Sequence, residues 1–354
     1  MYTTADPVTV PLSDLESGSV SSSALLKAFG PDSLGIIVVN SLPPRFKELR
    51  TRLLSYASHI AALPADALAA LEAPHAKYLV GWSCGKETLS ADGRVDTLKG
   101  SYYVNCAFYK DPSLDGADGA DRYPDFAEYT AGNVWPTQLA GFEETCKELC
   151  SLIIDTAALV ARACDRYAEE NIDGYGKGYL EHVVKTSTTT KARLLHYFPP
   201  PKDAAADGEE DLDSWCGTHL DHGCLTGLTS AMYVDEAANP PVFSPEKVEL
   251  QELESGPPDK EAGLYIKDRT GNIVKVGIPR DALAFQTGEA LERITRGRFK
   301  AVPHLVRGMR PSKGAGVARN TLAVFTQPNL HEMVDDKMDF AAFAKMIVEQ
   351  NTAM

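Results

Sequence analysis

Long hydrophobic runs are missing from this sequence. Nothing in it approaches the ~20 consecutive apolar residues of a bilayer-spanning helix, so no membrane-embedded role is expected. Basic residues are also scarce: 35 Lys and Arg stand against 49 Asp and Glu, a net charge of −14. A chain so acidic repels phosphate at long range, which argues against a general nucleic-acid or anionic-membrane binder. An anionic small molecule is not excluded, because it responds to the local field of a pocket. Cysteine is sparse and odd in number, seven residues at 84, 106, 146, 150, 164, 216 and 224, which makes no disulfide framework. A reduced, cytoplasmic chain is the expectation. Met1 to Leu12 lacks both the basic and the apolar region of a secretory signal. No repeat with a period of 20–50 residues is visible.

What remains is 354 residues of ordinary globular composition, 44% hydrophobic and 24% charged. This is about twice a usual ~150-residue domain, enough for one large or two closely packed units. The early part reads mainly as helix: Ser21–Phe29, Pro44 to Ala62, and a long stretch from Thr137 to Asn171 whose apolar stripe asks for a sheet to cover. The β-branched run Leu34–Val39 between them suits a buried strand. Beyond Gly178 strands dominate, at Lys191–Phe198, Thr218–Leu228, a hairpin around Asp268–Gly271, Ala282–Gln286, Lys300–Val306 and Arg319–Gln327. Helices first and strands later predict an α+β fold whose late strands close into a sandwich or barrel. Four regions follow: 1–135, an N-terminal α/β part contributing to the substrate pocket; 136–176, helical backing; 177–330, the β core; and 331–354, a closing helix N-capped by Asp339.

His219-Leu-Asp221 places an imidazole and a carboxylate on one face of a strand, since alternate residues share a face. Taken alone, such a pair is commonly a structural hydrogen bond. His304 offers a third ligand, and two histidines with one carboxylate make the facial triad of non-heme Fe(II) oxygenases, open on its other side. Downstream, Arg319-Asn-Thr321 puts a guanidinium and a hydroxyl on one strand face, where they could clamp a carboxylate. His222 alternates away from the pair and reads as structural. Cys216 lacks a companion cysteine and makes no zinc site.

These motifs resemble the 2-oxoglutarate/Fe(II)-dependent oxygenases of the isopenicillin N synthase-like group. The similarity runs through Arg193-Leu-Leu-His-Tyr-Phe-Pro199, Gly217-Thr-His-Leu-Asp-His-Gly-Cys-Leu-Thr-Gly-Leu228, Gly297-Arg-Phe-Lys-Ala-Val-Pro-His304 and Arg319-Asn-Thr-Leu-Ala-Val-Phe-Thr-Gln-Pro328. It is dense from about Lys191 to Pro328 and thinner before.

The resemblance implies a double-stranded β-helix, or jelly roll, flanked by helices. Fe(II) would be held by His219, Asp221 and His304, and the co-substrates 2-oxoglutarate and dioxygen would meet there. Arg319 and Thr321 would bind the distal carboxylate of 2-oxoglutarate. The reaction implied is oxidation of a small molecule in specialised metabolism, by hydroxylation, desaturation or ring closure, with release of succinate and CO2. The oligomeric state is not legible.

One position departs from the family pattern. An Asn-x-Tyr expected in the first core strand is matched by His196 and Phe198, and Phe has no hydroxyl. Either His196, Tyr197 or Arg193 replaces the contact, or the co-substrate lies differently. The interval from Asp221 to His304 is long for the group, with a Pro- and Glu-rich insertion at Ala237–Pro258. Val306–Ala318 reads as a solvated loop or a flap. Substrate contacts are sought in Tyr78–Phe108, at Lys86, Arg94, Tyr103 and Asn105, together with Phe325. A basic residue there facing the metal would suit a carboxylate-bearing substrate. Two other readings stay open: an oxidase that does not use 2-oxoglutarate, as isopenicillin N synthase is, and a non-catalytic jelly-roll binding module.

Overall fold

The computed structural model describes residues 3–86, 96–119, 122–200 and 216–352. Its strands, in chain order, are β1 (Thr3–Ala5), β2 (Val8–Pro11), β3 (Ile36–Asn40), β4 (Gly81–Cys84), β5 (Lys99–Asn105), β6 (Lys191–Tyr197) and β7 (Cys216–His219). They continue with β8 (Leu225–Thr229), β9 (Met232–Asp235), β10 (Gly263–Lys267), β11 (Ile273–Val276), β12 (Leu283–Thr287), β13 (His304–Arg307) and β14 (Val317–Thr326). Two sheets result. The smaller has the order β1-β11-β10-β13-β7, and the larger β2-β3-β12-β8-β14-β6-β5-β4, with β9 also on β14. The fold is a jelly roll of α+β class. Strands β2 to β5, from the first 135 residues, hydrogen-bond into the same large sheet as the later ones.

The long helix runs from Phe142 to Asn171 and covers the outer face of the large sheet at β8, β12 and β14. Leu149, Ile153, Ile154 and Val160 on its inner stripe are fully buried, each contributing roughly 1.5–3 kcal/mol of hydrophobic stabilisation. The approach is close: a Cβ added at Gly227 of β8 would stand 2.4 Å from Ile153. A second helix, Pro44–Ala61, opens with proline at its first turn and packs on β6 and β14. Ser21 caps the helix Ser22–Phe29, and Asp339 accepts from the Ala342 N–H at the start of the closing helix.

Two segments expected at the surface are instead tied down. Within Ala237–Pro258, Val248 is buried, its carbonyl bonds His59 Nε2 at 2.9 Å, and Glu252 pairs with the buried Arg50 at 2.9 Å. Within Val306–Ala318, Arg310 lays its guanidinium across Asp259, with contacts of 2.7 and 2.6 Å. Asp259 is 0% exposed, and its carboxyl is held down to about 2 by the hydrogen bonds from Arg310, against the opposing effect of burial. The native value thus lies below the ~3.9 of an unfolded chain, so this stabilisation is complete above pH ~4 and is lost as pH falls toward 2. Arg310→Ala should therefore destabilise the fold by about 1.5–3 kcal/mol at pH 7, where Asp259 loses its guanidinium hydrogen bonds and keeps the backbone N–H of residue 310 at 3.1 Å and Lys313 at 3.9 Å, and far less near pH 2. Thermal unfolding at the two pH values measures this; an equal loss at both would show that packing, not the ion pair, is what Arg310 supplies.

Candidate active site

Strand β7 ends at His219 and β13 begins at His304. The two residues are direct cross-strand partners, with ring centroids 4.3 Å apart. Asp221 does not continue the strand. The stretch read as one strand, Thr218–Leu228, breaks into β7 and β8, which lie in different sheets, and Asp221 stands in the turn between them. That turn is fixed from two sides. The Glu289 N–H donates to the Asp221 carbonyl at 2.8 Å, and a Cβ at Gly288 would come within 2.3 Å of the Gly223 oxygen, so only glycine fits there. The Thr226 hydroxyl donates to Asp221 Oδ2 at 2.6 Å and orients the carboxylate.

The chemistry of the donor set fits a divalent first-row ion. One ligand atom from each of His219, Asp221 and His304 lies within 4.8 Å of the other two. Asp221 Oδ1 is 3.8 Å from His219 Nε2, and its Oδ2 is 3.9 Å from His304 Nε2. Nδ1 of His219 faces the Gly217 carbonyl at 2.7 Å, and Nδ1 of His304 faces that of Val302 at 3.3 Å. Carbonyls only accept, so each Nδ1 carries the proton and each Nε2 keeps its lone pair for a metal. Burial lowers the His304 pKa against the opposing charge of Asp221, which also favours the neutral, ligating ring.

These three side chains stand at one end of a cavity of about 320 Å³ between the sheets. Arg319, Thr321, Ala323 and Phe325 face it from alternate positions of β14. The register of β14 on β6 pairs Arg319 with Tyr197, Thr321 with Leu195 and Ala323 with Arg193, so Arg193, Leu195 and Tyr197 share the inner face. Arg319 lies over the Tyr197 ring at 4.9 Å and hydrogen-bonds the Tyr233 phenol.

His196, expected at the co-substrate, is therefore corrected to the outer face. It bonds Asn320 Oδ1 at 2.8 Å under the helix Pro44–Ala61, and burial lowers its pKa to about 4. Tyr197, one residue before Phe198, lines the cavity. It is one of the three alternatives that the sequence leaves open at this contact, and its pairing with Arg319 turns it inward, whereas no spacing in the sequence singles out Thr226 or Tyr233.

Of the substrate candidates, Phe325 lines the cavity. Tyr103 is buried one strand further out, beneath the Arg193 guanidinium at 5.0 Å, which also donates to Ser101. Asn105 is occupied structurally: its Oδ1 accepts from the fully buried Lys191 at 2.6 Å and its amide donates to the Ala131 carbonyl. Lys86 is not at the cavity but ion-pairs with Glu72 at 3.2 Å and caps the Tyr78 ring. Arg94 lies outside the described residues. His222 bonds Glu289 at 2.8 Å and takes no part in the cluster.

No protein-family model matches the sequence, and no curated protein matches it either. Solved structures do. A protein from Caulobacter crescentus assigned to the 2OG-Fe(II) oxygenase family superposes with a TM-score of 0.67 at 17% identity, covering 99% of each chain. A full-length Neurospora crassa protein, in complex with alpha-KG and thymine, gives 0.62 at 17%, over 98% of this chain and 97% of its own. The rice dioxygenase for auxin oxidation gives 0.58 at 15%, over 98% and 96%. The fold of this chain is that of the 2-oxoglutarate/Fe(II) oxygenases, with the His219, Asp221 and His304 cluster at the mouth of its β core.

Proposed function

We propose that this chain is a 2-oxoglutarate- and Fe(II)-dependent oxygenase that oxidises a small organic molecule in the cytoplasm. The observation that carries the reading is the conjunction, in one cavity, of the ligand cluster with Arg319 and Thr321 on the neighbouring strand. His219, Asp221 and His304 would hold the metal, which when bound supplies the activation of dioxygen coupled to decarboxylation of 2-oxoglutarate. The chain contributes orientation and exclusion of water. Thr226 fixes the Asp221 carboxylate, and the backbone carbonyls of Gly217 and Val302 fix the imidazole rings.

Arg319, buried between the sheets, would offer a planar fork to the distal carboxylate, with Thr321 two residues along β14 and Tyr197 opposite on β6 as hydroxyl donors. Phe325 and Leu264 give the cavity apolar wall where the organic substrate would lie. The Neurospora protein is solved with thymine and the rice enzyme is a dioxygenase for auxin oxidation, which favours a small cyclic metabolite. The six described cysteines are free thiols, which suits a reducing compartment. Hydroxylation, desaturation and ring closure are all compatible with this cavity.

The oxidase reading shares the metal cluster and would use Arg319 to bind its own substrate. Succinate release distinguishes the two. Purified protein given Fe(II), ascorbate and 2-oxoglutarate in air should release succinate, accelerated by the right substrate and absent under argon. If aerobic oxygen uptake with an organic substrate proceeds without 2-oxoglutarate, the oxidase reading replaces this one.

A further inference from the structure

The cavity does not end at the clamp. Beside Arg319 and Thr321 it is lined by the Thr229–Ala231 link between β8 and β9 and by Gly256, Lys275, Gly277 and Arg280, at and beyond the C-terminal end of β11. Its two ends are both exposed: His219 is 41% exposed at the metal mouth, and Arg280 is 40% exposed at the other. Arg319 and Thr321 between them are buried.

Basic side chains outnumber acidic ones along this passage. Arg193, Lys275, Arg280 and Arg319 line it, and Asp221 is the one carboxylate among the described lining residues. Arg280 shares Glu252, 3.0 Å away, with Arg50 at 2.9 Å, so two guanidiniums stand on one carboxylate and leave a surplus positive charge at this end. Arg50 is buried and also grips the Ser230 carbonyl with Nε and Nη2, at 3.3 and 3.1 Å, which fixes the wall from behind. In that wall the Ser230 hydroxyl is buried and has no hydrogen-bond partner among the described residues.

Resting on the reading of this cavity as a 2-oxo acid site, we propose that its co-substrate end has an opening of its own, rimmed by Lys275 and Arg280. Through it small dicarboxylates reach and leave Arg319 independently of the metal mouth. In an acidic protein that repels dianions at long range, a cationic rim focuses them on the end where their carboxylate binds. The organic substrate can then occupy the metal mouth without trapping succinate behind it.

Gly277 gives the means to test this. It is exposed, its φ is not in the left-handed region, and an added Cβ meets nothing within 4 Å, so a large side chain can be placed in the opening without strain. Rates of 2-oxoglutarate association and dissociation are measured anaerobically by rapid mixing with Fe(II)-loaded protein, and Kd by calorimetry. Gly277→Trp should slow association and dissociation together, by about three- to tenfold, with Kd changed less than twofold, because a narrowed path alters rates and not end states. The double variant Lys275→Gln/Arg280→Gln should slow association by a similar factor of about three to ten and flatten its dependence on salt. It decides the question alone if Gly277→Trp does not fold by circular dichroism. Wild-type rates and salt dependence in the folded variants would overturn the second opening. Absence of 2-oxoglutarate binding to the wild type would instead overturn the function on which it rests.

Discussion

Asp221→Ala is expected to abolish turnover and to weaken Fe(II) binding by at least about 100-fold, more than loss of an outer hydrogen bond costs at a metal centre. Asp221 is the anionic member of the cluster, and its two oxygens face the two imidazoles at 3.8 and 3.9 Å. Without it, two neutral rings would remain to hold a dication in a site whose second histidine is buried. His222→Ala is the matched control. It removes an imidazole one residue away whose partner is Glu289, so metal affinity should stay within a few-fold of wild type. Calorimetric titration of Fe(II) under argon, with Mn(II) as a redox-inert check, reads both variants. If Asp221→Ala binds metal as tightly as the parent, the metal is held elsewhere and this cluster is not the metal centre.

The ligands are legible in the sequence for a partly incorrect reason. Strand alternation places His219 and Asp221 on one face, but the chain turns after His219, and the carboxylate arrives through a turn braced by Thr226 and the Glu289 N–H. A turn that connects two sheets is set by where the sheets lie, which local periodicity does not contain. Parity also explains the misplacement of His196. A seven-residue strand with nearly every position buried gives no polar-apolar alternation, so its inner face cannot be read from composition. Only the pairing of β6 with β14 shows that Arg193 and Tyr197 point inward.

Lys86 departs from its expected place for a related reason. Its segment supplies the last two strands of the large sheet, and the side chain falls past the end of the edge strand β4, where Glu72 and Tyr78 are its partners. By contrast the buried strand within Leu34–Val39, the hairpin at Asp268–Gly271 and the long helix need no tertiary information. Each is specified by residues within one turn or one strand of itself.

Arg319→Lys is expected to weaken 2-oxoglutarate binding by about 10- to 100-fold, the range corresponding to loss of a charge-assisted hydrogen bond worth ~1.5–3 kcal/mol. The substitution keeps the charge and shortens nothing essential in the fold, but it replaces a rigid planar fork with one ammonium point. The geometry on either side makes the fork matter. Arg319 is stacked on Tyr197 at 4.9 Å and engaged by Tyr233, so its plane is held in one orientation before any ligand arrives. Lysine cannot stack in the same way and would lose that preorganisation as well as the second hydrogen bond. Fe(II) affinity in the absence of 2-oxoglutarate should be unchanged, because Arg319 is not a member of the ligand cluster. Tyr197→Phe should give a smaller loss, about three- to tenfold, as expected for one neutral hydroxyl at ~1 kcal/mol. Titrating 2-oxoglutarate anaerobically into the Fe(II)-loaded wild type and both variants gives the three constants side by side. Equal affinities for wild type and Arg319→Lys would make Arg319 a structural cation over an aromatic ring. A wild type that binds no 2-oxoglutarate in the presence of metal would leave the cavity to the oxidase, with Arg319 turned toward the carboxylate of its organic substrate.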